Sequence, residues 1–355
     1  MDCSLDKSMD ANIVSKNIED IRNELNLNRG VIPFIQNVVE VEDTVFIIVG
    51  DRAEKSQCIG PGGRIVAELS KRVDKKISIL SQTELDVRKS RLDSSLGRIE
   101  EIKGIFENRY THLLENMAVQ IANEKLYPMY RGEVRQVEDQ GSPIIIAYSG
   151  GIDSSAVLIL LKQWGFSPIA VTADPGPQIL PPNLKRAIEK FSREMHIHHV
   201  YVNVEDKIKN TLEGALEGRF HPCGRCHSIL IDSAREYALS ENHQLLVTGE
   251  LLPHGRQAFE FNDNVLILHL LAALAMTKFR TMNICDDKGQ HIQSNQFGCQ
   301  LLSKLHGTIP GMVQPSIDRV LRELEAGILT TGMAMNLIRS ILRPANKSQI
   351  DPIGD

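Results

Sequence analysis

The sequence predicts an α/β protein, a parallel-sheet domain preceded by a small α+β domain and a helical connector. Three observations carry that expectation. From Ile144 onward, apolar β-branched runs alternate with helical stretches, the texture of a parallel sheet covered on both faces. Residues 31–80 combine short strand and helix candidates around a glycine-rich turn. Residues 82–138, rich in Glu, Arg, Lys and Leu, read as one or two connecting helices.

The expected domains are a flexible lead over 1–28 with at most one short helix, a compact module over 29–81, a connector over 82–140, the main domain over 141–303 and a helical segment over 304–355. In the first module, Thr44–Val49 and Lys76–Leu80 read as strands, and Arg52–Cys58 and Arg64–Val73 as helices. In the main domain, strands are expected at Ile144–Tyr148, Ile169–Ala173, His199–Val204 and Leu245–Thr248. Helices are expected at Ser154–Trp164, Pro182–Met195, Glu205–Glu217 and Cys226–Leu239. Val265–Met276 fits a strand plus turn or a buried helix. Residues 316–342 read as two helices, with Ser316 as N-cap and Gly327 as the break between them.

A net charge of −5 on 355 residues, with 42% hydrophobic and 24% charged residues, is globular composition. It argues against a surface that binds polyanions everywhere, although residues 51–80 and 300–347 are each locally +3. The longest apolar run, Val265–Met276, is interrupted by His269 and falls short of the roughly 20 residues that cross a bilayer. The first thirty residues carry acids and no apolar core of a leader. No membrane partner and a cytoplasmic location are expected. Six cysteines are too few for a disulfide scaffold and read as thiols or metal ligands.

Ser149-Gly150-Gly151-Ile152-Asp153-Ser154-Ser155 follows a buried strand and opens a helix. Glycines let the backbone approach an anion, and the free N–H groups of the helix start point at it. Asp153 would repel phosphate unless a divalent cation intervened, which implies Mg²⁺. No lysine follows until Lys162, so this is no Walker A loop. The heptapeptide resembles the S-G-G-x-D-S loop of the PP-loop (N-type) ATP pyrophosphatases, whose domain is adenine nucleotide alpha hydrolase-like. That resemblance implies cleavage of ATP between the α- and β-phosphates and transfer of AMP to an oxygen. It carries ATP binding onto Ser149, Gly150, Gly151, Asp153, Ser154 and Ser155, and onto Asp174 at the end of the second strand. Gly249 and Glu250 stand where many members carry a Gly-His motif, from which this sequence departs. Glu250, His254 and Arg256 are candidates there for a metal ligand and cations.

Cys223 and Cys226 form a C-x-x-C at the mouth of a predicted helix. Free N–H groups and Arg225 there favour thiolate. Taken alone the pair allows a structural zinc, with Cys285, Cys299, His221, His227, His291 and His306 as further ligands, or an inert buried pair. Within the PP-loop superfamily, the tRNA thiolation branch making 2-thiocytidine or 2-thiouridine has such a pair seventy to eighty residues after the loop and a third cysteine downstream. Here Cys223 lies 74 residues after Ser149, and Phe297-Gly298-Cys299-Gln300-Leu301-Leu302 looks like the third-cysteine segment. The resemblance implies a [4Fe–4S] cluster on Cys223, Cys226 and Cys299, or a persulfide on Cys226 or Cys299. Cys3 and Cys58 read as uninvolved.

Ile59-Gly60-Pro61-Gly62-Gly63-Arg64-Ile65 lies between two short helices flanked by strands. It resembles the G-x-x-G loop of a KH domain, which lets an RNA backbone pass close to the helix ends. Gly60, Gly63 and Arg64, with Lys71, Arg72, Lys75 and Lys76, are the expected RNA contacts; the null is a plain structural turn. An adenylating loop, paired thiols and an RNA-reading module together suggest an ATP-dependent tRNA sulfurtransferase. Its partners would be tRNA and a sulfur donor or sulfur-carrier protein, and its helix-rich connector suits a homodimer as well as a solvated linker. The alternative is a PP-loop ligase or amidotransferase acting on a small molecule with zinc at the cysteines; no glutaminase segment is evident.

Overall fold

The computed structural model describes residues 10–27, 31–104, 110–127, 143–262, 264–288 and 297–343. The chain divides into two compact units, Met1–Asp93 with Val119–Glu133, and Ser94–Ala118 with Val134–Asp355.

The first unit begins with helix α1 (Ala11–Glu24), capped by Asp10, whose carboxylate accepts the Ile13 N–H at 2.8 Å. Val14, Ile18 and Ile21, spaced at four and three residues, are fully buried on one face of α1. Half of the expected lead, the helix α1, is therefore a core element; residues 1–9, with Cys3, lie outside the described residues. Strands β1 (Ile35–Val41) and β2 (Thr44–Val49) pair antiparallel, helices α2 (Arg52–Ile59) and α3 (Arg64–Val73) follow, and β3 (Lys76–Ser81) joins β2 in parallel. Strand β1, which the sequence does not delimit, is an edge strand with exposed Gln36 and Asn37, which blurs its apolar alternation. Val45, Ile47 and Val49 point from β2 into a core with Ile65 and Leu69. The Pro61–Gly63 turn separates α2 from α3, and its Gly60, Gly62 and Gly63 have φ of +73°, +63° and +76°.

Helix α4 (Gln82–Ile102) starts in the first unit and ends in the second, and α5 (Thr111–Glu124) runs back. The expected connector is thus divided between the two units.

The second unit is built on a six-stranded sheet in the order β6-β5-β4-β7-β9-β8. Its strands are β4 (Ile144–Ala147), β5 (Pro168–Asp174), β6 (His198–Asn203), β7 (Leu245–Thr248), β8 (Phe259–Asn262) and β9 (Val265–His269). All pair in parallel except the edge strand β8, antiparallel to β9. Helices α6 (Ile152–Gln163), α7 (Pro182–Glu194), α8 (Glu205–Leu216) and α9 (Cys223–Ser240) connect them, and α10 (Leu270–Ala273), α11 (Lys278–Asp286), α12 (Gln300–Thr308), α13 (Val313–Glu325) and α14 (Thr331–Leu342) follow the last strand. The ambiguous Val265–Met276 run resolves as β9 plus α10. The expected 303/304 boundary falls inside α12. Ser316 is not an N-cap: it lies within α13 and is fully buried, whereas Thr330 caps α14, accepting from Met333 N–H at 3.3 Å. Gly327, at φ +72°, is the break between those helices.

The strand order places the site. From central β4 the chain runs outward through β5 to β6, then returns to β7 on the other side of β4. Ligands in such sheets sit beyond the carboxyl ends of the strands, where the winding reverses. Here that crevice lies between the loops after Ala147 and Thr248. No helix among the described residues is long and apolar enough to cross a membrane.

Candidate active site

Helix α6 needs no amphipathic face because it is covered all round: Ile152 and Ala156 through Leu161 are buried, and α11 packs against it. Its exposed end is the loop, where Gly151 occupies the N-cap position with no side-chain cap. The first N–H groups are thus left for a ligand. Gly150 has φ +74°, and a Cβ there would stand 2.6 Å from Ile188 Cγ1. Ser149 and Ser154 hydroxyls meet at 3.2 Å, and Ser154 Oγ donates to Gly151 O at 3.2 Å. Ser155 departs from its expected role: it is fully buried, its hydroxyl donates to Tyr148 Oη at 3.5 Å and its N–H to Gly151 O at 3.0 Å.

Gly249, just beyond β7, lies against the loop; a Cβ on it would stand 2.7 Å from Ser154 N and 2.8 Å from Asp153 C. Asp153 is neutralised by residues that no sequence spacing singled out. Lys278 Nζ donates to its Oδ2 at 2.6 Å and Thr281 Oγ1 to its Oδ1 at 3.0 Å. The only local signal is Thr277, whose side chain accepts from Arg280 N–H and starts α11 just after the apolar run. A lysine of this chain therefore supplies the positive charge that Asp153 seemed to require of Mg²⁺. A single carboxylate still fits Mg²⁺, which commonly takes one or two carboxylates plus substrate phosphates. Asp174 ends β5, accepts Gly176 N–H at 3.0 Å and is ion-paired with Lys185.

The thiols stand on two helix starts. Cys223 opens α9 behind Pro222, and Cys226 N–H donates to Pro222 O at 2.9 Å. Cys299 is the N-cap residue of α12. All three are partly buried, and their charges act on one another: Cys299 disfavours the Cys223 thiolate, and Cys223 and Cys299 both disfavour that of Cys226. The expected thiolates do not form unaided. Burial, then this mutual repulsion, pushes Cys223 and Cys226 up to about 11. The cation acting on Cys223 is Arg319 of α13, while Arg225 stacks over the Phe220 ring at 3.7 Å. Cys58 and Cys285 are buried and raised to about 12; Cys285 Sγ faces Ile152 O at 3.5 Å behind the loop.

Among the described residues, no three His, Cys, Asp or Glu side chains converge on a single metal ion. A zinc needs its sulfurs about 2.3 Å from one centre. An iron–sulfur cluster spreads its thiolates more widely, because each binds a different iron. An all-sulfur set of three suits that softer group, and metal binding displaces the protons that burial retains. Of the other zinc candidates, His291 lies outside the described residues. His221 Nε2 and His306 Nε2 both meet the buried Ser316 hydroxyl, at 3.0 and 2.8 Å.

The loop and the thiols are tied together through Glu250. His227 Nε2, one residue after Cys226, lies 2.7 Å from Glu250 Oε1. Burial opposes the charge of Glu250, but the hydrogen bond and charge of His227 prevail and hold its carboxyl below the usual range; the same bond raises His227. Arg256 leaves this site for Glu101, at 2.8 Å.

In the first unit, the expected RNA contacts are mostly occupied. Lys71 pairs with Glu68 at 3.4 Å, Lys76 with Asp43 at 2.7 Å, Arg72 with Glu24 and Lys75 with Glu40. Three of these four carboxylates, Glu24, Glu40 and Asp43, come from outside residues 51–80 and offset the local excess of bases there. Arg64 is exposed beside the glycine turn.

No family model matches the chain. An uncharacterized protein of Methanocaldococcus jannaschii is 27% identical over 204 residues, 58% of this chain and 76% of the relative. The tRNA-specific 2-thiouridylase MnmA of Orientia tsutsugamushi is 29% identical over 130 residues, 32% of this chain and 35% of that protein. Among solved structures, the U34-tRNA thiolase NcsA from Methanococcus maripaludis with its [4Fe-4S] cluster has a TM-score of 0.40 at 14% identity, covering 66% of this chain and 79% of that one. NMN synthetase from Francisella tularensis has a TM-score of 0.33 at 14% identity, covering 60% and 88%.

Proposed function

We propose that the chain is an ATP-dependent tRNA sulfurtransferase. The observation that carries this reading is the placement of a helix-start anion loop and three mutually interacting thiols in one unit, with Glu250 beside Gly249 at the loop and bonded to His227 beside the thiols. Sequence likeness to a tRNA-specific 2-thiouridylase supports it. The lysine and carboxylate at the loop fit ATP chemistry equally in a ligase, but three cysteines whose charges act on one another support sulfur delivery.

In this reading, the N–H groups at Gly151 and the hydroxyls of Ser149 and Ser154 hold the ATP phosphates, and Gly249 keeps the crevice narrow. Lys278 moves between Asp153 and the departing pyrophosphate, offsetting the charge that develops as the bond to the α-phosphate breaks. The base carbonyl oxygen forms the new bond to that phosphorus, so the oxygen becomes part of a good leaving group, AMP. A [4Fe–4S] cluster on Cys223, Cys226 and Cys299 would supply the sulfur nucleophile that displaces it. The first unit would deliver the RNA; its helix–strand–strand–helix–glycine turn–helix–strand order supports a KH-like reading.

The test is pyrophosphate release from ATP with and without unmodified tRNA, followed by nucleoside mass spectrometry after adding sulfide. Stimulation by tRNA and a thiolated base are expected. Stimulation by a small carboxylic acid instead would overturn the reading.

A further inference from the structure

The RNA must bring one base to the thiols, and the phosphates that flank this base need cations close to Cys223, Cys226 and Cys299. Arg319 meets that need. It lies one turn along α13 from Ser316, whose buried hydroxyl contacts His221 at 3.0 Å, and His221 Nδ1 in turn accepts the Cys223 N–H at 3.4 Å. Its guanidinium also sits 6.0 Å from the ring centroid of Phe297, two residues before Cys299. Contacts to the neighbours of both Cys223 and Cys299 thus fix where Arg319 stands.

The guanidinium is half-exposed, and Glu323 engages its Nε at 3.1 Å. Among the described residues that is its one hydrogen bond. A half-exposed i,i+4 pair of this kind adds little to helix stability, which is a weak reason to hold an arginine beside the thiols. Arg225, adjacent to Cys226, is likewise exposed and rests on the Phe220 ring at 3.7 Å. Arg225 lies against an aromatic ring and Arg319 approaches one, and a planar guanidinium matches the two free oxygens of a phosphodiester.

The geometry points to Arg319, with Arg225, as a phosphate clamp for the RNA backbone flanking the nucleotide presented at Cys223, Cys226 and Cys299. This rests on the sulfurtransferase reading and adds the contact that sets the base in register with the sulfur. Arg319 is a positioning residue, held through its Nε by Glu323.

The experiment measures binding of an unmodified tRNA transcript to the full-length chain across a salt series, for the wild type, Arg319→Gln, Arg225→Gln, the double variant and Arg319→Lys. Each lost contact should reduce the slope of log affinity against log salt by about 0.7. The double variant should bind about tenfold more weakly at physiological salt, with Arg319→Lys retaining most of the slope. Unfolding midpoints report whether the variants fold. Unchanged affinity and slope in a folded double variant overturn the clamp while leaving tRNA-stimulated pyrophosphate release by the wild type, and hence the sulfurtransferase reading, intact. A raised sulfide requirement with unchanged RNA binding also overturns it, by assigning the arginines to a small sulfur anion. A wild type that neither binds tRNA nor responds to it overturns both.

Discussion

His227 and Glu250 meet at 2.7 Å and so join the helix that carries Cys223 and Cys226 to the loop that follows β7. Glu250 directly follows Gly249, which touches the backbone of Asp153 and Ser154. The pair is therefore a side-chain link between the glycine loop and the helix of the paired cysteines. If it keeps the two in register, His227→Gln should leave ATP cleavage nearly intact and lower thiolated product per AMP formed about tenfold, roughly 1.4 kcal/mol. Counting product and AMP in the same reaction checks this; an unchanged ratio would remove the pair from the coupling.

Lys278 is the cation of the anion loop. Lys278→Met should reduce pyrophosphate formation by about 10²–10³-fold, the usual scale for losing one group that stabilises developing charge. RNA affinity should hold. A fall of less than threefold would show that the lysine serves only to neutralise Asp153.

Gly249→Ala should cost about 1–3 kcal/mol, the usual range for overpacking, because the new methyl would stand 2.7 Å from Ser154 N. It should also weaken ATP binding by displacing the start of α6. Gly332→Ala is the contrast. It lies within α14 with nothing within 4 Å of the added carbon, and should stabilise by about 0.5–1 kcal/mol. Denaturant unfolding measures both.

Four imidazoles make stability depend on pH in one direction. Burial lowers the pKa of His199, His221, His269 and His306 below 6.5. A group whose folded value is depressed contributes stability that is complete above its unfolded value and is lost as pH falls through the folded one. His227, raised by Glu250, works in the opposite sense. The urea midpoint should therefore fall between pH 7.5 and 5.5 at fixed ionic strength, and a rising midpoint would contradict the burial of these rings.

Arg64, which has no ion-pair partner among the described residues, contrasts with Lys76, which pairs with Asp43. Arg64→Gln should lower the salt slope of RNA binding by about 0.7, whereas Lys76→Gln should change it less, because Asp43 holds that lysine at 2.7 Å. Equal effects would mean that the ion pairs open when RNA binds.

The glycine loop was legible in the sequence, because its signals are local: a buried strand, two glycines and a helix start lie within ten residues. Strand β7 and helix α3 were legible to the residue, since their apolar periodicity matches their burial. The short helix allowed for in the lead is α1, but its bounds were not legible because its three buried apolar residues are scattered among polar ones, and only the strands and α3 give them a core. Lys278 at Asp153, Glu250 at His227 and Ser316 between two histidines were invisible, being separated by 125, 23, and 95 and 10 residues. Residue order determined which groups this chain possesses and how each short segment coils or extends. Which of them meet, and whether a charge is spent inside the protein or left for a ligand, was decided by the sheet, because parallel strands bring distant loops to one edge.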